Sequence, residues 1–297
     1  MPLQKILITG CNGFLGQHLT MFFTRKNYSI IGVGRNNCRI KNAPANFIYE
    51  SLDLADDAAV RQCLQEYQPD IIIHAAAMSK PDDCNNNREL CLLNNVHATG
   101  NLVKFSQPFH PHFIFISTDF IFGENGPHGE DEEPAPLNFY GESKWQAEKI
   151  VRSSGLLYSI IRPVFIYGKQ LNEQRSTFLH WVKNSLQQNK SIKVVSDQLR
   201  TPTYVVDICK GIETIITKKA QGDFHLAGKD ILSPYQMAIT VADVLGLNKN
   251  LIEEVTSETF SEPVKRAKRS GLKIDKAMRE LNYEPVSFDE GVKLSFE

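Results

Sequence analysis

The sequence has no long uninterrupted apolar run, no excess of either charge and no closely spaced cysteine pair. Its longest apolar stretch covers residues 71–78 and is interrupted by His74, so we expect no membrane-spanning segment. The 33 Lys and Arg residues nearly balance the 34 Asp and Glu residues, which argues against partners such as nucleic acid or an anionic membrane. The six cysteines include no CxxC pair, so we predict neither a disulfide framework nor a metal site.

The amino terminus lacks the pattern of a signal peptide. Residues 1–5 lead directly into the apolar residues 6–8, with no separate basic region or cleavage site. Together with cysteines expected as reduced thiols, this predicts a cytoplasmic protein. The remaining composition, 42% hydrophobic and 23% charged, is ordinary for a globular chain of one large or two moderate domains.

Short apolar runs alternate with longer amphipathic segments in the first half of the chain. The runs, which lack strict polar alternation and are therefore expected to be covered on both faces, are residues 5–9, 29–33, 70–77, 113–117 and 158–162. The segments with helical spacing are residues 16–25, 58–67, 89–105 and 142–153. This alternation predicts an α/β fold, a Rossmann-type doubly wound parallel sheet, over residues 1–168.

The pattern is looser after residue 168. Helical spacing at residues 178–188, 206–218 and 235–245 is mixed with short apolar runs at 192–195 and 224–226. We interpret residues 169–297 as a smaller C-terminal α/β substrate-binding domain. A segment of it, about residues 202–230, is expected to return and pack on the first domain.

A glycine-rich turn joins the first predicted strand to the first predicted helix: Gly10-Cys11-Asn12-Gly13-Phe14-Leu15-Gly16. Gly10 permits a tight turn, Gly13 lets backbone amides approach a pyrophosphate, and Gly16 permits close packing of helix on strand. The helix N-terminus then adds amides and a positive dipole end. Spacing of this kind is common by itself, but the strand–turn–helix context predicts a dinucleotide site.

The end of the second predicted strand bears on which dinucleotide binds. An NAD site usually has an acidic residue there for the ribose 2′-hydroxyl, whereas this chain has Gly32-Val33-Gly34-Arg35. Arg35 could pair with the 2′-phosphate of NADP(H), or it could simply be solvated in a polar loop. NADP(H) is favoured over NAD(H), with Asp53 placed to meet the adenine end and Leu54 to pack beside it.

Tyr140 and Lys144 lie four residues apart, a spacing that puts both side chains on one face of a helix. A neighbouring ammonium would lower the pKa of the phenol, and the same lysine could bind the nicotinamide ribose. Thr118 follows the strand predicted over residues 113–117 and adds a hydroxyl at the edge where ligands bind in such sheets. We therefore predict a proton donor or acceptor for a carbonyl/alcohol couple, in preference to a surface Tyr–Lys pair.

These motifs together resemble the extended short-chain dehydrogenase/reductase superfamily, which also has counterparts of His74-Ala75-Ala76-Ala77, Asn95 and the stretch from Arg162 to Gly168. Residues 117–123 and 136–141 are similar to dTDP-4-dehydrorhamnose reductases. Residues 197–203 are similar to the DQxGxPT segment of that family, and residues 266–272 to its RPxNSxL segment. The resemblance covers nearly the whole chain.

The resemblance implies an NADPH-dependent reductase of a nucleotide-diphospho-4-keto-6-deoxysugar. Its catalytic residues would be Thr118, Tyr140 and Lys144. With the motif residues above, the predicted cofactor contacts are Gly10, Asn12, Gly13, Phe14, Leu15, Gly16, Arg35, Asp53, Leu54, Ala75, Ala76, Ala77, Asn95, Tyr140 and Lys144. The predicted contacts to the nucleotide sugar are Met78, Thr118, Asp119, Phe120, Tyr140, Phe165, Arg200 and Arg266. A homodimer is left open.

Three positions depart from the reductase pattern. Phe120 replaces its usual Tyr, Phe165 its usual Trp, and Ala267 its usual Pro, so the identity of the sugar stays open. Nucleotide-sugar dehydratases carry Asp-Glu after the Thr, whereas this chain has Asp119-Phe120 and lacks the second carboxylate.

The sequence leaves two alternative functions open. The regulatory β subunit of methionine adenosyltransferase is similar to the same reductases, keeps their catalytic-looking residues and works as a binding partner. An NAD-dependent nucleotide-sugar epimerase is the other alternative.

Overall fold

The computed structural model describes residues 3–171, 177–260 and 263–297. Its strands are β1 (Gln4–Thr9), β2 (Tyr28–Gly34), β3 (Phe47–Ser51), β4 (Ile71–His74), β5 (His112–Ile116), β6 (Tyr158–Arg162), β7 (Ile166–Tyr167), β8 (Ile192–Val195), β9 (Thr203–Tyr204), β10 (Gly222–His225) and β11 (Ile252–Val255). Its α-helices are α1 (Phe14–Thr24), α2 (Asp57–Tyr67), α3 (Pro81–Asn86), α4 (Arg88–Leu92), α5 (Ala98–Ser106), α6 (Phe139–Arg152), α7 (Phe178–Gln187), α8 (Val205–Lys218), α9 (Pro234–Leu245), α10 (Asp275–Leu281) and α11 (Phe288–Phe296).

The central sheet has seven strands in the order β10-β6-β5-β4-β1-β2-β3. Each neighbouring pair is parallel. From β1 the chain first builds outward through β2 and β3, and then crosses to β4 on the other side. This reversal opens a crevice beyond the carboxyl ends of β1 and β4, where such folds bind ligands. The predicted doubly wound α/β class is confirmed.

Both faces of the sheet are buried, as the unbroken apolar runs predicted. Ile6 and Ile8 of β1 pack on one face with residues of α1, α8 and α10. Leu7 points to the other face and packs with residues of α2, α5 and α6. Because successive side chains of a strand point to opposite faces, a strand covered on both sides needs apolar residues at every position.

The second half of the chain forms a separate apolar cluster and also contributes to the sheet. Residues of α7, α9, α11 and β8 pack together around Met237 and Val241. The helix α8 instead packs against α1, and β10 pairs with β6 at the edge of the central sheet. We propose that the chain divides into two domains at residue 168, and that a segment near residues 202–230 returns to pack on the first domain.

Several element boundaries differ from the predictions. The helix expected over residues 89–105 is divided into α4, a π-helical turn (Leu93–His97) and α5. Helix α6 begins three residues before its predicted start, because the Asn138 side chain accepts a hydrogen bond from the Gly141 amide at 3.1 Å. Strand β3 was not among the predicted strands, and none of its residues is fully buried.

No helix among the described residues has both the length and the apolar character to cross a membrane. All six cysteines are free thiols, and only Cys38 is exposed. Within the described ranges, no group of three or more His, Cys, Asp or Glu side chains could hold a metal ion.

Candidate active site

The crevice at the carboxyl edge of the sheet is a cleft of about 630 Å³. Residues from the ends of β1, β2, β4, β5 and β6 meet in it, as expected for parallel strands that end at one edge. The predicted site residues that line it are Gly10, Asn12, Gly13, Phe14, Leu15, Gly16, Arg35, Asp53, Leu54, Ala75, Ala76, Ala77, Thr118, Asp119, Phe120, Tyr140, Lys144 and Phe165.

The glycine-rich turn has the shape that a phosphate-binding loop requires. Gly10 adopts φ +68°, and the Gly13 amide donates to its carbonyl at 2.8 Å. A Cβ at Gly16 would overlap that same carbonyl oxygen and lie 2.7 Å from the Cys11 Cα. Among the described residues, no side chain caps the N-terminus of helix α1. Its first backbone amides, which face the cleft, are therefore available to bind an anion. These features fit a dinucleotide pyrophosphate.

Two arginines line the cleft at the end of β2. Arg35 was predicted there, and Arg39 was not. Both belong to an exposed loop, whereas Asp53 and Leu54 line the cleft from beyond the end of β3. In the sequence, the only indication of a role for Arg39 was that it is a second cationic residue, four positions after Arg35.

Thr118, Tyr140 and Lys144 meet at the opposite side of the cleft and are almost fully buried, with exposed fractions of 6%, 7% and 2%. The Lys144 Nζ donates to the Ile116 carbonyl at the end of β5, at 2.7 Å. A Cβ at Gly141 would overlap the Phe120 carbonyl oxygen. Glycine is therefore needed there for α6 to approach the loop after β5, which brings the phenol toward Thr118.

The expected lowering of the Tyr140 pKa is wrong for this structure. Burial raises the pKa of the phenol well above its ordinary value, and only the Thr118 hydroxyl acts appreciably in the other direction. Lys144 does not offset the burial because its ammonium is itself desolvated and directed at a backbone carbonyl. Tyr140 is consequently a neutral phenol at neutral pH, the form that can donate a proton.

Burial lowers the pKa of Lys144 to about 7, against an opposing effect of Glu148 on the next turn of α6. The folded protein therefore loses this proton near pH 7, whereas an unfolded chain keeps it to about pH 10.4. The unfolded state binds more protons between these values, so stability rises with pH there.

We expect Lys144→Met to remove this pH dependence. The difference in the free energy of unfolding between the wild type and the variant should increase with pH above pH 7. The expected increase is up to about 1.4 kcal/mol per pH unit. Denaturant titrations between pH 7 and 9 measure it. Lys149→Met is the matched control, because Lys149 lies on the same helix with its side chain exposed. Equal slopes in the wild type and Lys144→Met would contradict the assignment.

All the predicted substrate residues except Met78 line the cleft or a small cavity beside it. The small cavity shares Asp119 and Phe120 with the cleft and is also lined by Arg200 and Arg266. Burial raises the pKa of Asp119, with the Arg200 guanidinium opposing it. Arg266 forms an ion pair of 2.8 Å with Asp82 of α3. Cationic groups thus lie directly beside the Thr118–Tyr140 region.

The apolar wall of this region consists of two aromatic rings. Phe120 contacts Tyr140 edge to face, with ring centroids 5.5 Å apart. Phe165 has φ +40°, a conformation unusual for a residue with a Cβ and often found at ligand sites. The Arg200 guanidinium lies 5.8 Å from the centre of the Phe165 ring.

Two predicted site residues support the cleft without lining it. Asn95, in the π-helical turn, donates to the Met78 carbonyl at 3.0 Å and to the Ser143 hydroxyl at 2.9 Å. It also accepts from the Met78 amide at 2.8 Å. Neither Asn95 nor Met78 lines the cleft, and their contacts with the cofactor and the substrate stay predictions. Such turns are common at functional sites, and this one fixes the chain after β4.

Known proteins are similar to this chain over most of its length. Residues 4–297 match the family model described as RmlD substrate binding domain. The chain is 30% identical over 262 residues to methionine adenosyltransferase 2 subunit beta of Pongo abelii, covering 86% of this chain and 76% of that protein. It is 28% identical to the probable low-salt glycan biosynthesis reductase Agl14 of Haloferax volcanii, covering 92% and 91%.

A solved structure agrees over nearly the whole chain. The dTDP-4-dehydrorhamnose reductase of Bacillus anthracis, determined in complex with NADP, superposes with a TM-score of 0.87 at 28% identity and 99% coverage of both chains. The expected class, an NAD(P)-dependent oxidoreductase with a nicotinamide cofactor, is confirmed. The chain belongs to the RmlD substrate binding domain family, among the dTDP-4-dehydrorhamnose reductase-like members of the extended short-chain dehydrogenases/reductases.

Proposed function

We propose that the protein is an NADPH-dependent reductase of a nucleotide-diphospho-4-keto-6-deoxysugar. The observation that carries the proposal is the meeting of Thr118, Tyr140 and Lys144 at one end of a dinucleotide-shaped cleft, beside a cavity lined by Arg200 and Arg266. A proton donor is thereby adjacent to cations suited to a diphosphate.

The cofactor would lie across the carboxyl ends of β1 and β4. The amides at the start of α1 would hold its pyrophosphate, and Asp53 and Leu54 would meet its adenosine end. Lys144 would bind the nicotinamide ribose. When bound, the cofactor supplies a hydride to the keto carbon.

Tyr140 would supply the proton. Like an ordinary tyrosine, the buried phenol is protonated at neutral pH, so it has a proton to give to the carbonyl oxygen as negative charge develops there. The Thr118 hydroxyl would donate a hydrogen bond to the same oxygen. Burial of all three side chains excludes water and strengthens these interactions.

The residues after Thr118 favour reduction over elimination. Asp119 and Phe120 both line the cleft, and the Phe120 ring lies against Tyr140. An apolar ring at this position supplies no second carboxyl group for the loss of water, whereas keto reduction needs none.

For cofactor selection, we expect Arg35→Ala to weaken NADPH binding about 10-fold or more, since a guanidinium–phosphate bond contributes about 1.5–3 kcal/mol. NADH binding should change little, because NADH lacks the 2′-phosphate. Fluorescence titration of both cofactors measures the effect. Equal weakening of the two would remove the argument for NADP(H).

The proposed reaction is tested by NADPH oxidation with purified protein and dTDP-4-keto-6-deoxy-L-mannose, followed by other nucleotide-diphospho-4-keto sugars. Turnover with one of these sugars supports the proposal. Absence of turnover with all of them, while NADPH still binds, would contradict it.

The second candidate function is that of a regulatory subunit. It is favoured by the 30% identity with methionine adenosyltransferase 2 subunit beta. This function predicts stable co-purification with the catalytic subunit of a methionine adenosyltransferase from the same organism. A protein that purifies alone and turns over a nucleotide sugar would exclude it as the main role.

A further inference from the structure

The loop that follows β2 is exposed, yet its backbone is tied to two side chains outside it. Arg35 and Arg39 of this loop line the cleft. The two side chains that hold the loop are Asn12, from the glycine-rich turn, and Tyr49, from β3. Long cationic side chains on an untethered loop would lose more conformational entropy on binding an anion.

Asn12 uses both ends of its amide on the loop. Its Nδ2 donates to the Arg35 carbonyl at 3.2 Å and to the Asn37 carbonyl at 3.1 Å. Its Oδ1 accepts from the Arg39 amide at 2.8 Å. A predicted cofactor contact thus also fixes the backbone of both arginines.

The Tyr49 hydroxyl completes this brace. It accepts from the Asn12 Nδ2 at 2.9 Å and donates to the Asn36 carbonyl at 2.6 Å. Asn36, between the two bonded segments, has φ +63°, a conformation that asparagine tolerates better than most residues. Tyr49 is not among the residues that line the cleft, so any influence on a ligand must pass through the loop or through Asn12.

We infer that Tyr49, with Asn12, is a positioning residue that sets the selectivity for a 2′-phosphorylated cofactor. This inference rests on the proposed preference for NADP(H). The brace holds the backbone from which Arg35 and Arg39 extend, so that both guanidinium groups are presented to one phosphate. Bidentate pairing with a phosphate depends on this kind of fixed geometry.

The test compares Kd for NADPH and NADH in Tyr49→Phe, which removes the hydroxyl and keeps the ring. Loss of a positioning hydrogen bond should weaken NADPH by about 3–10-fold and leave NADH nearly unchanged. Asn12→Ala should shift the same ratio in the same direction. Tyr28→Phe is the matched control, because Tyr28 lies at the other end of β2 and packs on Phe23.

A double-mutant cycle separates positioning from general stability. In an Arg35→Ala/Arg39→Ala background, Tyr49→Phe should cause no further change in the ratio of the two Kd values. A further loss of selectivity there, or an equal loss of NADPH and NADH in the single variant, would overturn the inference.

The outcomes also separate this inference from the proposed function. A wild-type protein that binds NADPH and NADH equally would overturn the NADP(H) preference and, with it, this inference. A wild-type protein that prefers NADPH, with Tyr49→Phe retaining the full preference, would overturn only the role of the brace.

Discussion

Replacing Tyr140 with phenylalanine is expected to lower kcat by about 10²–10⁴-fold, the usual contribution of a positioned general acid. The change removes one hydroxyl from a side chain that is 7% exposed and keeps the ring that contacts Phe120. NADPH should therefore still bind with nearly unchanged affinity, as measured by fluorescence titration beside the kinetic assay.

The chain offers a control for this variant. Tyr158→Phe removes a hydroxyl at the start of β6, at the amino end of the sheet and away from the cleft, and should leave kcat unchanged. If Tyr140→Phe lost NADPH binding together with activity, its role would be to hold the cofactor. If it retained full turnover, another group would be the proton donor.

The second large effect is expected from Gly16→Ala. The added Cβ would overlap the Gly10 carbonyl oxygen, so the phosphate-binding turn must move away from helix α1. Overpacking of this kind costs about 1–3 kcal/mol or more. Displacing even one amide from the pyrophosphate should weaken NADPH binding by about 10–10²-fold.

Substitutions at two other glycines serve as comparisons for Gly16→Ala. At Gly13 a Cβ would lie 3.1 Å from the same carbonyl oxygen, so Gly13→Ala should have a milder effect. At Gly100 of α5 a Cβ would meet no atom within 4 Å. Gly100→Ala should therefore raise stability by about 0.5–1 kcal/mol without changing NADPH binding. Unchanged binding in Gly16→Ala would show that the turn does not hold the cofactor.

The local parts of the site could be predicted from the sequence. The glycine-rich turn and the Tyr140–Lys144 pair are defined by residues within one turn or one helix, where spacing alone fixes the geometry. The position of Thr118 followed from the rule that parallel strands end at a common edge, whereas that of Ala75 was implied only by the resemblance to the extended short-chain dehydrogenases/reductases.

Features that depend on distant packing could not be predicted. The direction of the Tyr140 pKa shift is set by burial under side chains from other elements, including Phe120 and the cysteines Cys84 and Cys91. The position of the Arg39 backbone depends on the hydrogen bond that its amide donates to the Asn12 Oδ1, 27 residues earlier in the chain. The π-helical turn that places Asn95 leaves no local signal because its sequence is compatible with a continuous helix.

The most direct test of the central claim is the fate of the hydride. The substrates are a nucleotide-diphospho-4-keto-6-deoxysugar and NADPH that carries deuterium at the transferred position of the nicotinamide C4. We predict a product with one deuterium on sugar C4. In the Tyr140→Phe control the label should enter the sugar at least about 10²-fold more slowly. Mass spectrometry and proton NMR of the product measure both. Oxidation of the cofactor without label in the sugar, or no reaction with any such sugar, would contradict the account.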